Sequence, residues 1–305
     1  MSTATTPIAP TPVVTKRTAF RVFGLSVSTI IRYVLLVALA VIFSGPLLWM
    51  VSLSLKPDNE MNQIPPQLVP IHPTFDNYGK ALYGYLPMVD FNRIAINTII
   101  YVTLATLGVL FSSATVGYGF ARIPFKGSGV LFPIVLATLM LPSQVTLIPQ
   151  YLLFKQLDWI NSLKPLIIPV WFGGIQGAFY IFLFRQFFLT IPREFDDAAL
   201  IDGASHFDIL WRIMLPLSVP AAITCVALSI VEHWNDFFGP LIYAPGLDVT
   251  VIAVFLTYFS VPQQSTPVNL LMAAATVSVV PVILVFLVLQ DYFVQGVTMT
   301  GLKEG

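Results

Sequence analysis

Charge is scarce in this chain. Only 10% of its 305 residues are Asp, Glu, Lys or Arg, against about 25% in soluble domains. With 56% hydrophobic residues and a mean hydropathy of +0.83, a single chain of this size cannot hide its apolar surface from water, and a lipid bilayer is required as solvent. The one cysteine, Cys225, excludes a disulfide scaffold. Basic and acidic residues number fifteen each, so there is no basic field to grip nucleic acid, and no nucleic acid is expected as a partner.

Catalytic signals are equally thin. His72, His206 and His233 lie far apart, with no Cys or His at ligand spacing, so no metal site is expected. A Gly-x-Ser-x-Gly nucleophile elbow is missing. Lys126-Gly127-Ser128-Gly129 has the residue types of a phosphate loop in the wrong order, so ATP is not expected to bind this chain by that route. The chain is not expected to be an enzyme.

What the sequence does contain is a series of charge-free apolar runs. A hydrocarbon core about 30 Å thick needs roughly 20 helical residues. Runs of that length predict six spans, at about 33–55, 94–118, 129–150, 165–187, 214–238 and 268–290. The expected fold class is therefore an all-α integral membrane protein with six transmembrane helices. Pro142 and Pro149 are expected to end the third helix early. Val249 to Gln290 is also free of charge, but Pro262, Gln263, Gln264, Ser265, Thr266 and Pro267 interrupt it. Val249 to Ser260 is too short to cross, and reads as an interfacial or re-entrant piece.

Residues 1–30, rich in Thr, Pro and Ser and carrying Lys16, Arg17 and Arg21, read as a solvated basic tail. The apolar run behind them is too long for a signal peptide's core, and no Ala-x-Ala site closes it. If this tail is cytoplasmic, Lys16, Arg17, Arg21, Arg32, Arg122, Lys126, Arg185, Arg193, Arg212 and Lys303 lie inside, and Lys56, Lys80, Arg93, Lys155 and Lys164 outside. Ten against five favours that orientation. Six spans then place both termini inside a plasma membrane, with Lys56 to Arg93 as a long outer loop stiffened by Pro65, Pro66, Pro70 and Pro73.

Ionisable groups near the bilayer interior reduce to Glu232 and Asp236, around His233, Trp234 and Asn235. They read either as polar lining of a translocation path at the outer end of span five, or as the place where that helix leaves lipid, with Trp234 as an interfacial anchor. A helix puts 232 and 236 on one face and 234 nearly opposite. If the acidic face lines a path, the lining candidates are Glu232, Asp236 and Asn235, and Trp234 meets lipid or a partner chain.

The loop between spans four and five, 189–217, is the most informative segment. Pro192, followed by Glu194, Asp196 and Asp197, reads as a helix start, since proline suits the first turn and carboxylates suit the positive end of the dipole. Ala198 and Ala199 allow another backbone to come close, and Gly203 suits a left-handed stop. Ser205 is placed to cap a second helix with Phe207, Ile209, Leu210, Ile213 and Met214 on one broad face. Glu194, Asp196, Asp197, Asp202 and Asp208 outnumber Arg193 and Arg212. An anionic inner leaflet repels such a surface, which favours a protein partner over lipid.

At these residues a family likeness becomes specific. Asp197-Ala198-Ala199, three residues, Gly203, nine residues, then Ile213-x-Leu215-Pro216 resembles the EAA loop of binding-protein-dependent ABC transporter permeases. Asp197 stands where that pattern has Glu. Pro73-Thr74-Phe75-Asp76-Asn77-Tyr78, Asn97-Thr98, Leu141-Pro142, Trp234-Asn235-Asp236-Phe237 and the tail from Gln295-Gly296 to Lys303 resemble the sugar-transporting branch around the smaller subunit of the maltose permease. Together they run from about Lys56 to the C-terminus.

The resemblance implies a MetI-like fold and a coupling loop (Glu194, Asp197, Ala198, Ala199, Asp202, Gly203, Ile213, Leu215 and Pro216) docked in a cleft of a separate ATP-binding cassette subunit. It also implies a second permease chain, expected to be non-identical, and an extracytoplasmic solute-binding protein. ATP and Mg would sit on the ATPase subunits and no cofactor on this chain, and closure of the ATPase dimer would pull the coupling loops together and open the path outward. The competing classes are a stand-alone secondary carrier, which needs a buried ionisable pair, and an intramembrane enzyme, which needs a nucleophile and a base.

Overall fold

The structure is a computed structural model that describes residues 21–22, 25–86, 88–173, 177–260 and 267–301. Most of the basic tail, the Pro262 to Thr266 interruption and Lys303 lie outside the described residues. The chain divides into two compact units, Met1–Trp49 and Met50–Gly305. The first holds a two-residue antiparallel ladder, Arg21–Val22 with Leu25–Ser26, and most of helix α1 (Val27–Ser54).

In the second unit the central element is α2 (Phe91–Arg122), which starts where Asp90 accepts from the Asn92 amide at 3.0 Å. It stops where Pro124 forces the preceding Ile123 into an extended conformation. Small residues let its neighbours come close. A Cβ on Gly117 would lie 2.9 Å from the Phe184 Cβ, and one on Gly108 would lie 2.5 Å from the Trp171 ring. Tyr118, Phe184, Phe188, Ile209 and Met214 share the core at its C-terminal end.

Among the described residues, four stretches are long and apolar enough to cross a membrane: Thr29–Ser54, Phe91–Arg122, Lys164–Thr190 and Val268–Gln290. Two bent pairs bring the total to six if each counts as one span. The third span, expected as one helix over 129–150, is instead α3 (Ser128–Ala137, continued by a 3-10 turn to Met140) and α4 (Ser143–Gln156), meeting at 96°. Pro142 causes the break by pushing Leu141 out of the helical region, whereas Pro149 sits inside α4 without ending it.

The stretch expected at 165–187 opens with Lys164–Ile167 and a 3-10 turn, Pro169–Phe172, then reaches the left-handed Gly173, before α5 (Gly177–Thr190). The fifth, expected over 214–238, bends by 82° at Ser218, where Pro220 starts a new helix. It ends at Trp234, not Phe238.

The connecting loop contains α6 (Glu194–Ile201) and α7 (His206–Leu217), followed by α8 (Val219–Trp234) and α9 (Phe238–Tyr243). Val249 to Ser260, expected as an interfacial or re-entrant piece, packs against protein. It forms α10 (Ile252–Phe255) and a 3-10 turn, and Val251, Val254, Phe255 and Phe259 are buried in protein, Phe259 stacked on Tyr85. The last helix, α11, covers Val268–Gly301.

The motif Pro73 to Tyr78 has a structural task. Buried Asn77 donates to the Ser54 and Lys56 carbonyls at 2.9 and 2.8 Å and so fastens the loop to the end of α1. Asn97 donates to the Asp248 and Thr250 carbonyls, and the Ile252 amide donates to Thr98 Oγ1 at 2.9 Å, which seats α10 on α2.

Candidate functional site

Two places bring chemistry-bearing residues together. The first is the loop between α5 and α8. Its helices change direction at Gly203, whose φ of +82° suits glycine. A capping box opens α7: the Asp208 amide donates to Ser205 Oγ, and the Ser205 amide donates to Asp208 Oδ2, each at 3.2 Å. That hydroxyl-linked carboxylate sits below its ordinary pKa.

Ala199 packs inward, with Ile213 and Leu215 against the same core, whereas Glu194, Asp197, Ala198, Asp202, Gly203 and Pro216 face outward. Among them stand four exposed large apolar side chains: Phe195, Leu200, Ile201 and Phe207, with Ile201 86% exposed. An acidic surface with an apolar centre suits a protein partner.

Sequence reading missed the joint that holds this loop. Arg122, at the end of α2, places Nη1 3.0 Å from Asp196 Oδ2, and Nη2 donates to the Phe188 and Ile191 carbonyls. Burial raises the Asp196 pKa, helped by Asp197 and opposed by Arg122. The Tyr118 hydroxyl lies 3.2 Å from His206 Nδ1 at the start of α7. The available signal was a lone arginine closing an apolar run, which has no local partner in sequence.

The second place is a cleft of about 560 Å³ whose lining includes Tyr101, Gln150, Glu232, His233, Asn235 and Asp236. The Tyr101 hydroxyl donates to Asp236 Oδ2 at 2.7 Å, and the Gly239 amide donates to Oδ1. Tyr180 donates to Glu232 Oε2 at 2.8 Å. Asn235 is exposed, its amide turned back to the Val231 carbonyl.

All three lining candidates therefore reach one cavity, joined by two tyrosines from α2 and α5 that the sequence did not point to. The half-buried Trp234 turns toward α11, where its indole donates to the Ser278 carbonyl at 3.0 Å. Carboxylates, phenols and an amide around an open cleft offer what a polyhydroxylated solute needs, hydrogen-bond acceptors and donors beside aromatic faces. Among the described residues, no three His, Cys, Asp or Glu side chains gather as a metal would require.

Comparison with known proteins gives the same answer from three directions. Residues 113–299 match the model of the binding-protein-dependent transport system inner membrane component family. The arabinooligosaccharides transport system permease protein AraQ of Bacillus subtilis (strain 168) is 31% identical over 87% of this chain and 92% of that protein. The trehalose/maltose transport system permease protein MalG of Thermococcus litoralis is 30% identical over 88% and 94%. A chain from the crystal structure of a bacterial ABC transporter that imports the acidic polysaccharide alginate superposes with a TM-score of 0.76 at 25% identity, covering 90% of this chain and all of that one. The chain is a MetI-like membrane permease, and it belongs to the binding-protein-dependent transport system inner membrane component family.

Proposed function

We propose that this chain is one permease half of an importer for a sugar or oligosaccharide, with both termini on the cytoplasmic side of a bacterial or archaeal plasma membrane. In this reading it pairs with a second, non-identical permease chain. Two ATP-binding cassette subunits dock from inside on the loop carried by α6 and α7, holding the ATP and Mg themselves, and a solute-binding protein delivers the sugar from outside. Glu194, Asp197, Ala198, Ala199, Asp202, Gly203, Ile213, Leu215 and Pro216 form or shape the docking surface. Glu232, Asn235 and Asp236 line the solute path.

The observation that carries this reading is the exposed apolar cluster of Phe195, Leu200, Ile201 and Phe207 on an otherwise acidic loop, at the opposite end of α2 from the polar cleft. Lipid of net negative charge repels such a surface and a groove on a protein accepts it. Permease names among the relatives support the sugar assignment.

Reconstitution tests it. Proteoliposomes holding both permease chains and the ATPase subunits, with solute-binding protein added outside, should accumulate a labelled oligosaccharide from a panel of arabinotriose, maltose and trehalose only when ATP is enclosed. Accumulation by this chain alone, driven by a proton or sodium gradient, would establish a secondary carrier instead.

A further inference from the structure

α2 touches both candidate places, and it is built differently from the other long apolar stretches. α1 contains Pro46, Lys164–Thr190 contains Pro165 and Pro169, and α11 contains Pro281. α2 runs from Phe91 to Arg122 as one helix with no proline inside it. Its close seats against Phe184 at Gly117 and Trp171 at Gly108 leave no room for it to slide independently of those neighbours.

One end of this rod is tied to both loop helices. The Arg122 side chain is 4% exposed and reaches Asp196 of α6 while holding the carbonyls that close α5. Tyr118, one turn earlier, reaches His206 of α7 and meets the Phe188 ring edge-on. Nearer the other end, Tyr101 donates to Asp236 in the cleft and lies edge-on to His233. Tyr101 and Tyr118 are about 26 Å apart along the helix at 1.5 Å per residue. Arg122 Nε and Asp196 Oδ1 are both buried without a hydrogen-bond partner. A buried pair left part-satisfied is suited to a joint that makes different bonds in a second state.

We infer that Arg122 and Tyr118 are positioning residues that fasten both loop helices to α2, and that α2 carries a displacement of this loop to the Tyr101–Asp236 contact in the solute cleft. The inference rests on the reading of this loop as the ATPase contact. Two elements that share one rigid helix and two anchored ends move as one unit, so the cleft answers to the nucleotide state of subunits it never touches.

The test uses the complete complex in proteoliposomes, with Arg122→Gln, Asp196→Asn and Tyr118→Phe. Three quantities are read: cross-linking of an Ile201→Cys thiol to the ATPase subunit, solute taken up per ATP hydrolysed, and the ATP-dependent change in reactivity of an Asn235→Cys thiol, the native Cys225 being buried. The expected result is an unchanged cross-link and unchanged basal hydrolysis, with solute per ATP falling about tenfold in Arg122→Gln. Asp196→Asn should show a smaller fall, and the ATP-dependent change at position 235 should be lost in both.

Should Arg122→Gln fail to insert, Asp196→Asn and Tyr118→Phe, which keep side-chain shape, decide the matter by the same readings. A preserved cross-link with unchanged solute per ATP and unchanged reactivity at 235 overturns the linkage alone. No cross-link in the complex that carries Ile201→Cys alone overturns the docking reading and the linkage with it.

Discussion

The Tyr101 hydroxyl donates to the Asp236 carboxylate at 2.7 Å across 135 positions of sequence, tying α2 to the turn that follows α8. With the Gly239 amide on its other oxygen, Asp236 is held in one orientation at the cleft wall. Glu232 accepts one such bond, from Tyr180 on Oε2. Carboxylates fixed by donors from neighbouring helices present their remaining lone pairs to the cavity at little further ordering cost.

Glu232→Gln and Asp236→Asn should therefore each lower uptake about tenfold, the size of one lost hydrogen bond to a charged group. Co-purification of the ATPase subunits should be unaffected. Normal uptake by both variants would show that these carboxylates only mark the end of a helix and that the solute is held elsewhere.

Trp234→Ala should act on this chain's own stability. The variant loses the bond to the Ser278 carbonyl and the packing of α8 on α11, a loss of about 3 kcal/mol by comparison with other large-to-small changes. Thermal unfolding of the detergent-purified chain measures it. An unchanged midpoint with loss of the second permease chain would instead place the indole at a subunit interface.

Gly203→Val should uncouple without unfolding. A Cβ there meets nothing within 4 Å, so the cost comes from the backbone at φ +82°. It amounts to roughly 1 kcal/mol or more for a β-branched residue. Membrane insertion should be normal and uptake per ATP reduced, with Gly203→Asn milder because asparagine tolerates the left-handed region. Equal uptake by Gly203→Val and the parent would contradict a directional role for this turn.

Acid should loosen the loop that follows α1. Burial works to raise the Glu60 pKa, but the Ile71 and His72 amides, each at 2.9 Å, and the His72 ring outweigh it and hold the carboxyl below 4.5. A carboxylate with a depressed folded pKa contributes stability that is complete above the unfolded value and is lost as pH falls through the folded one. The protection factor against hydrogen exchange over residues 57–74, the observed rate corrected for its intrinsic pH dependence, should be high and constant above pH 4.5 and should fall below it. Glu60→Gln should show a low protection factor at every pH, and a variant as protected as the parent would contradict this.

Runs of uncharged residues made the spans legible, because the bilayer imposes a length that composition alone reports. The loop helices were legible because Ser205, Gly203 and the carboxylates act within a few positions of themselves. The bend at Pro142 was read as an ending, since proline marks a break without saying whether a helix resumes behind it. The Trp234 bond to Ser278 was not legible, because helical angle fixes which face a residue occupies but not what lies against that face. Arg122, Tyr101 and Tyr180 escaped notice because their partners lie 74, 135 and 52 positions away, and only the packed helices bring them together.

Contact between the loop and an ATPase subunit is the most direct test of the whole account. Ile201, 86% exposed at the end of α6, is to be replaced by a photo-reactive residue in the assembled complex and irradiated in sealed membranes. The account predicts a single adduct with the ATP-binding cassette subunit, its yield changing when ATP is added. Adducts with lipid alone, or with the extracytoplasmic solute-binding protein, would contradict it.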